Sequence, residues 1–269
     1  MSNIATAFDA CAPHYDYDFT ESPLGRLLRR LVWQHLDQAV VPGCRVLELG
    51  CGTGEDAVWM ARRGAQVNAM DISTAMVKHA KAKTTRLGLA EQISVYSVDI
   101  THMQNLNIPG HGPGAYDLIF SNFGALNCVD NVERVITETA TLLRPKGTAV
   151  LIIMGRWCMW EWLYFGLRLQ LRLAGRRVSG QALANAGDGG RIPVRYYSPG
   201  KVAASVRHIF ETVAVRGIGC LSPLAWGPSR SHTVSQHAFD RMCRMELRLS
   251  GFRVAAALSD HFLIELRKR

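Results

Sequence analysis

The sequence predicts an α/β fold, a doubly wound and mostly parallel sheet with helices on both faces. Three observations predict it. Short apolar runs alternate with helical patterns from residue 45 to residue 154. A glycine-rich turn joins the first of these strands to the first of these helices. Hydrophobic residues are 48% and charged residues 20% of the 269, ordinary globular usage that excludes disorder, collagen and coiled coil.

Each element follows from its pattern. Residues 24–40 carry apolar and basic faces at helical spacing, ended by Pro42-Gly43. Residues 45–49 read as a strand and 55–63 as a helix ending at Gly64. The pattern repeats with a strand at 66–70, a helix at 73–87 closed by Gly88, and a strand at 93–98. A strand at 116–121, a helix at 129–143 stopped by Pro145 and a strand at 147–154 follow. Residues 155–197 break the alternation with Trp157, Trp160 and Trp162, a basic stretch to Arg177 and a Gly/Asn/Asp-rich loop near 185–190. Helix or strand is left open at 167–173, where apolar residues alternate with Arg168, Gln170 and Arg172. Then come a helix at 198–209 with Ser198 as N-cap, a strand at 212–220, a helix at 239–249 and a strand at 261–266. They read as a continuation of the same sheet.

Charge is uneven. Residues 1–150 hold 13 Lys and Arg against 15 Asp and Glu, whereas residues 151–269 hold 18 against 7. Such a basic half points to nucleic acid, an anionic membrane surface or an acidic substrate, or else to solvated arginines on helix faces. The seven cysteines include no CxxC pair, so no zinc pattern or disulfide framework follows, and a reducing cytoplasm is the expected setting. Residues 1–18 show no signal-peptide core, and no run of 18 uncharged apolar residues predicts a spanning helix.

The chemistry concentrates at strand ends. Val46-Leu47-Glu48-Leu49-Gly50-Cys51-Gly52-Thr53-Gly54 joins a strand to a helix, and glycines there let a ligand approach the backbone. The spacing is G-x-G-x-G, neither the dinucleotide fingerprint nor a phosphate loop. Glu48 at the strand end would repel a pyrophosphate but suit a cation. The next strand leads to Asp71, placed to accept ribose hydroxyls, and the third to Asp99, placed to bond an adenine amino group. Ile72 and Ile100 could sandwich the base. The alternative is that the glycines serve only tight strand–helix packing.

ELGCGTG, then Asp71 in NAMDIS and Asp99 in SVDI, resembles the class I S-adenosylmethionine-dependent methyltransferases over about residues 44–154. YDLIFSNF at 116–123 and LLRPKG before the fifth strand fit the same family, and FDACAPHYD resembles the N-terminal lid of its small-molecule and quinone-type members. The resemblance implies a Rossmann-like, seven-stranded sheet with one reversed strand and a lid inserted after strand five. It implies one domain, with lid helices at 1–40, a cofactor core at 41–154, a substrate lid at 155–197 and the rest of the sheet at 198–269. It implies S-adenosyl-L-methionine as cofactor, held by Gly50, Cys51, Gly52 and Gly54 with Glu48, by Asp71, Ile72 and Met76, by Asp99 and Ile100, and by Asn122, Phe123 and Tyr15.

The acceptor is read from what the chain has and lacks. The fourth strand ends in Ser121-Asn122-Phe123-Gly124, without the proline pair of nucleobase amino-methylases, so no DNA partner is expected. Trp157, Trp160 and Tyr164 share a helical face and, with Tyr196, are the expected substrate wall. Residues 157–177 could also touch a membrane surface, or simply pack on the core. His14, Tyr15, Tyr197 and His232 are the candidates for proton transfer, with His237 beside His232 in the loop after the sixth strand. No metal is expected. The reading is methyl transfer to an O, N or C nucleophile of a small apolar or aromatic metabolite by a monomer or homodimer. An RNA or protein methyltransferase using the basic half, or a cofactor-binding scaffold, are the alternatives, and a use of the bound sulfonium other than methyl transfer stays open.

Overall fold

The computed structural model describes residues 3–106, 108–185, 190–221 and 235–269, except the side chains of 105 and 236. Helix α1 (Asn3–Cys11) is followed by a π-helical turn at Asp16–Thr20 and by α2 (Pro23–Leu36). The alternating core comprises β1 (Arg45–Leu49), α3 (Glu55–Ala61), β2 (Gln66–Asp71), α4 (Thr74–Arg86), β3 (Ile93–Ser97), β4 (Tyr116–Ser121), α5 (Val132–Leu142) and β5 (Leu143–Met154). An insertion carries α6 (Met159–Leu167), α7 (Leu171–Ala174) and a hairpin of β6 (Gln181–Asn185) and β7 (Arg191–Arg195). The chain closes with α8 (Pro199–Ser205), β8 (Phe210–Ile218), α9 (Gln236–Ser250), α10 (Arg253–Leu258) and β9 (His261–Lys268).

The sheet has seven strands in the order β3-β2-β1-β4-β5-β9-β8. Strand β9 runs antiparallel to both neighbours and is the reversed strand. Alternate strand residues feed two cores. Val46, Leu118, Phe120, Val150 and Leu263 pack against α2, α3 and α9 on one face, while Leu47, Ile119, Leu151 and Ile264 pack against α5 and α8 on the other. This fold matches the expectation in class, strand number and reversed strand.

Boundaries moved where a cap decides them. Helix α2 begins at Pro23 because the Ser22 hydroxyl accepts the Gly25 N–H at 3.0 Å. Helix α5 begins at Val132, not 129, because Asn131 caps it by accepting the Arg134 N–H at 2.9 Å. The expected Ser198 cap precedes α8, but its hydroxyl makes no cap bond. Helix α1 falls within the lid helices expected at 1–40, whereas α10 and the β6–β7 hairpin were not expected. The hairpin buries Ile192, Val194 and Tyr196 against Ala7 of α1, so the insertion buttresses the N-terminal segment.

Topology fixes where a ligand sits. Strand β1 lies between β2 and β4, with Leu49 level with both Met70 and Ser121. The chain winds outward in opposite directions from that point, and such a switch leaves a crevice at the carboxyl ends of the strands.

Candidate functional site

The crevice holds a cavity of about 250 Å³. Its floor is the turn after β1. Gly50 and Gly52 have φ of +73° and +54°, a region that side chains resist. A Cβ on Gly50 would come within 2.2 Å of the Ala125 methyl group. The Gly50 and Cys51 N–H groups donate to the Met70 carbonyl at 2.8 and 2.9 Å, which draws the loop across the end of β2.

Asp71 ties loop to strand. One oxygen accepts the Gly52 N–H at 2.8 Å and the other the Ser73 N–H at 2.9 Å. Burial pushes its carboxyl above the usual aspartate range, against the pull of these backbone bonds. Asp99 lies one strand further, half-exposed, one oxygen accepting from both the Thr101 N–H and hydroxyl. Asp71, Ile72, Met76, Asp99 and Ile100 all line the cavity, as do Gly50, Cys51, Gly52, Asn122, Phe123 and Tyr15.

Two expected cofactor residues are placed elsewhere. Gly54 lies outside the lining, where a Cβ would press to 3.1 Å from the Ala80 methyl group, so it serves the approach of α3 to α4. Glu48 is 1% exposed and lies outside the lining, with Oε2 unpartnered in the protein. Burial, with Asp56 adding to it and Arg29 opposing, pushes its carboxyl well above the glutamate range.

The N-terminal segment roofs the cavity through Ile4, Phe8 and Tyr15. Two carboxylates hold it down. Asp9 accepts the Ser73 hydroxyl at 2.6 Å and the Ala75 N–H at 3.0 Å. Asp16 accepts the Thr53 hydroxyl at 2.5 Å and pairs with Lys83 at 2.9 Å.

Arg29 of α2 also lines the cavity and was not singled out in the sequence. It is 6% exposed, 3.4 Å from Asp56, and lies over the rings of Phe19 and Phe123. Asp56 in turn accepts from Trp33 Nε1 at 2.7 Å and Asn122 Nδ2 at 3.0 Å. Arg29 Nη1 has no hydrogen-bond partner, so a buried cation retains an unused donor at the glycine-loop end. The signal was available, because Arg29 interrupts an α2 stripe otherwise made of Gly25, Val32 and Leu36.

The expected substrate wall does not face this cavity. Trp160 donates its indole N–H to the Cys220 carbonyl at 2.6 Å. Trp157 lines a separate apolar crevice with Trp162, Leu163 and Leu258, Tyr164 lies under the Arg168 guanidinium, and Tyr196 is buried beneath Arg177. Helical spacing identified a shared face but not its direction. Of the proton-transfer candidates, His14 is exposed and Tyr197 packs beside α8, neither lining the cavity. Tyr15 does line it, its phenol pushed up to about 12 by burial, with Arg29 opposing. His232 lies outside the described residues, and His237 is exposed on α9, not in a loop.

Residues 46–147 match the methyltransferase domain family model. The ubiquinone biosynthesis O-methyltransferase of Xanthomonas campestris pv. campestris is 30% identical over 148 residues, covering 53% of this chain and 56% of that protein. The tRNA 5-carboxymethoxyuridine methyltransferase of Escherichia coli K12 is 28% identical over 149 residues, covering 54% and 55%. The chain thus spans about half the length of the curated relatives it matches. Among solved structures, geranyl diphosphate C-methyltransferase from Streptomyces coelicolor A3(2), in complex with S-adenosyl-L-homocysteine, superposes with a TM-score of 0.55 at 14% identity, over 88% of this chain and 76% of that one. At that identity the likeness concerns the fold. Residues 46–147 thus match a methyltransferase domain, and the strand order around them is the fold of the S-adenosylmethionine-dependent methyltransferases.

Proposed function

We propose that the chain transfers the methyl group of S-adenosyl-L-methionine to an oxygen, nitrogen or carbon nucleophile of a small, apolar or aromatic metabolite. The observation that carries this reading is the convergence of the positive-φ glycine turn, Asp71, Asp99 and Arg29 on one cavity. Each suits one part of the cofactor. The Asp71 oxygens each keep lone pairs for ribose hydroxyls. Asp99 lines the same cavity as Ile72 and Ile100 and offers an acceptor beside aliphatic side chains. The bare backbone of Gly50 and Gly52 admits the methionine chain, and Arg29 supplies a cation for its carboxylate.

The bound sulfonium supplies an activated methyl group. The protein's part is alignment, which contributes much of the rate in such displacements. Asn122 and Asp56 fix each other and Arg29 at one end, and Phe8 and Tyr15 exclude water from above. Tyr15 is the one proton-transfer candidate among the described residues that lines the cavity. The seven free thiols suit a reducing cytoplasm.

The test is to incubate the protein with methyl-labelled cofactor and a cell extract separated into low-mass, protein and RNA fractions. Label in the apolar low-mass fraction supports the reading. Label confined to RNA or protein contradicts it.

A further inference from the structure

Helix α6 is turned inside out. Its single carboxylate, Glu161, is fully buried and held by Arg176 and by Arg177 Nε at 2.7 Å. Arg177 also grips Asp260, at the start of β9, at 2.6 Å. This clamp fixes the rotation of α6 and points the opposite face outward. That face carries Met159, Trp162, Leu163 and Leu167, at helical spacing and 38% to 84% exposed. A water-facing helix shows the reverse arrangement.

The apolar surface continues beyond α6. Leu169 and Leu171 are 84% and 71% exposed. Leu169 holds a φ of +57°, a conformation that favours glycine, so this leucine is strained and packs on little. Leu258, which shares the apolar crevice with Trp162 and Leu163, extends the patch to α10, where Val254 is 68% exposed. Single exposed apolar side chains are ordinary, but a contiguous patch marks an interaction surface.

Charge selects the occupant. Arg168, Arg172 and Arg253 are exposed around this patch, and between residues 155 and 185 the only carboxylate is the buried Glu161. A twofold contact with a second copy would set these arginines against their own equivalents. We propose that the α6–α7 tip and α10 dock on an anionic lipid bilayer, with the leucines among the acyl chains and the arginines at the phosphates. This surface lies apart from the cofactor cavity, so docking stands or falls independently of the methyl-transfer reading.

The test is co-sedimentation of the full chain with vesicles of phosphatidylcholine alone or mixed with phosphatidylglycerol. The protein should pellet with the mixed vesicles, much less with phosphatidylcholine alone, and less as salt rises. Arg168→Gln and Arg172→Gln should each weaken partition roughly fivefold. The variant L167S/L169S/L171S should lose vesicle binding while still binding S-adenosylhomocysteine, which shows that it folds. Leu169→Gly should raise the melting temperature and lower vesicle binding together, opposite changes that a purely structural leucine would not give. Wild-type protein remaining in the supernatant with both vesicles overturns the proposal. So does a triple variant that pellets like wild type, or a dimer that this variant converts to monomer without any vesicle binding.

Discussion

The Asp71 carboxylate accepts the Gly52 N–H at 2.8 Å, which makes the end of β2 and the turn after β1 a single rigid unit. Its second oxygen bonds Ser73, which caps α4 by accepting the Met76 N–H at 3.0 Å. One side chain therefore sets the loop, the helix start and the cavity wall.

Asp71→Asn should weaken both folding and cofactor binding. Its amide nitrogen must face either the Gly52 or the Ser73 N–H, donor against donor. Such a mispaired buried group costs about 1–3 kcal/mol. Thermal melts should show a fall of several degrees, and calorimetry with S-adenosylhomocysteine a loss of affinity. A variant indistinguishable from wild type in both would remove Asp71 from the site.

Arg29→Met separates the two ends of the cofactor. Affinity for S-adenosylhomocysteine should drop about ten- to a hundredfold, the value of a charge-assisted bond. Affinity for 5′-methylthioadenosine, which lacks the amino-acid carboxylate, should change little. Equal losses for both ligands would show that Arg29 acts only by holding Asp56.

Glu48 gives a pH signature. Its folded carboxyl titrates well above the ordinary glutamate value of 4.5, so the folded state keeps a proton that the unfolded chain releases. Stability then falls as pH rises from about 4.5 toward the folded value, and levels off above it. Glu48→Gln removes this slope, so its melting temperature relative to wild type should rise as pH goes from 5 to 8. An unchanged difference across that range would mean that Glu48 is ionised in the folded protein.

Asp16 should govern release of the product. Burial raises its pKa, but the Thr53 hydroxyl and Lys83 outweigh this and hold it below the usual value, so the latch stays charged at neutral pH and weakens only in acid. Asp16→Asn should speed S-adenosylhomocysteine dissociation several-fold in stopped-flow measurements, with a smaller effect on association. An unchanged dissociation rate would mean that the N-terminal segment is not what encloses the ligand.

Local geometry explains what was legible in the sequence. Gly50, Gly52, Asp71 and Asp99 are set by the strand–turn–helix unit in which each stands, and adjacent parallel strands bring their ends together. Arg29 arrives from α2, so only its intrusion on an apolar stripe could have flagged it. Glu48 looked open to a ligand because sequence does not reveal its burial. The tryptophans of the insertion were legible as apolar mass, but their direction depends on the Glu161–Arg177–Asp260 clamp, whose partners lie up to 99 positions apart in sequence.

The most direct measurement of the central claim is thermal stability with S-adenosylmethionine, S-adenosylhomocysteine and NAD added separately, to wild type and to Asp71→Ala. A ligand at about 100 times its dissociation constant adds roughly 2.7 kcal/mol. The account predicts a rise with the two sulfur compounds alone, abolished in the variant. A rise with NAD alone, or no rise with any ligand, would contradict it.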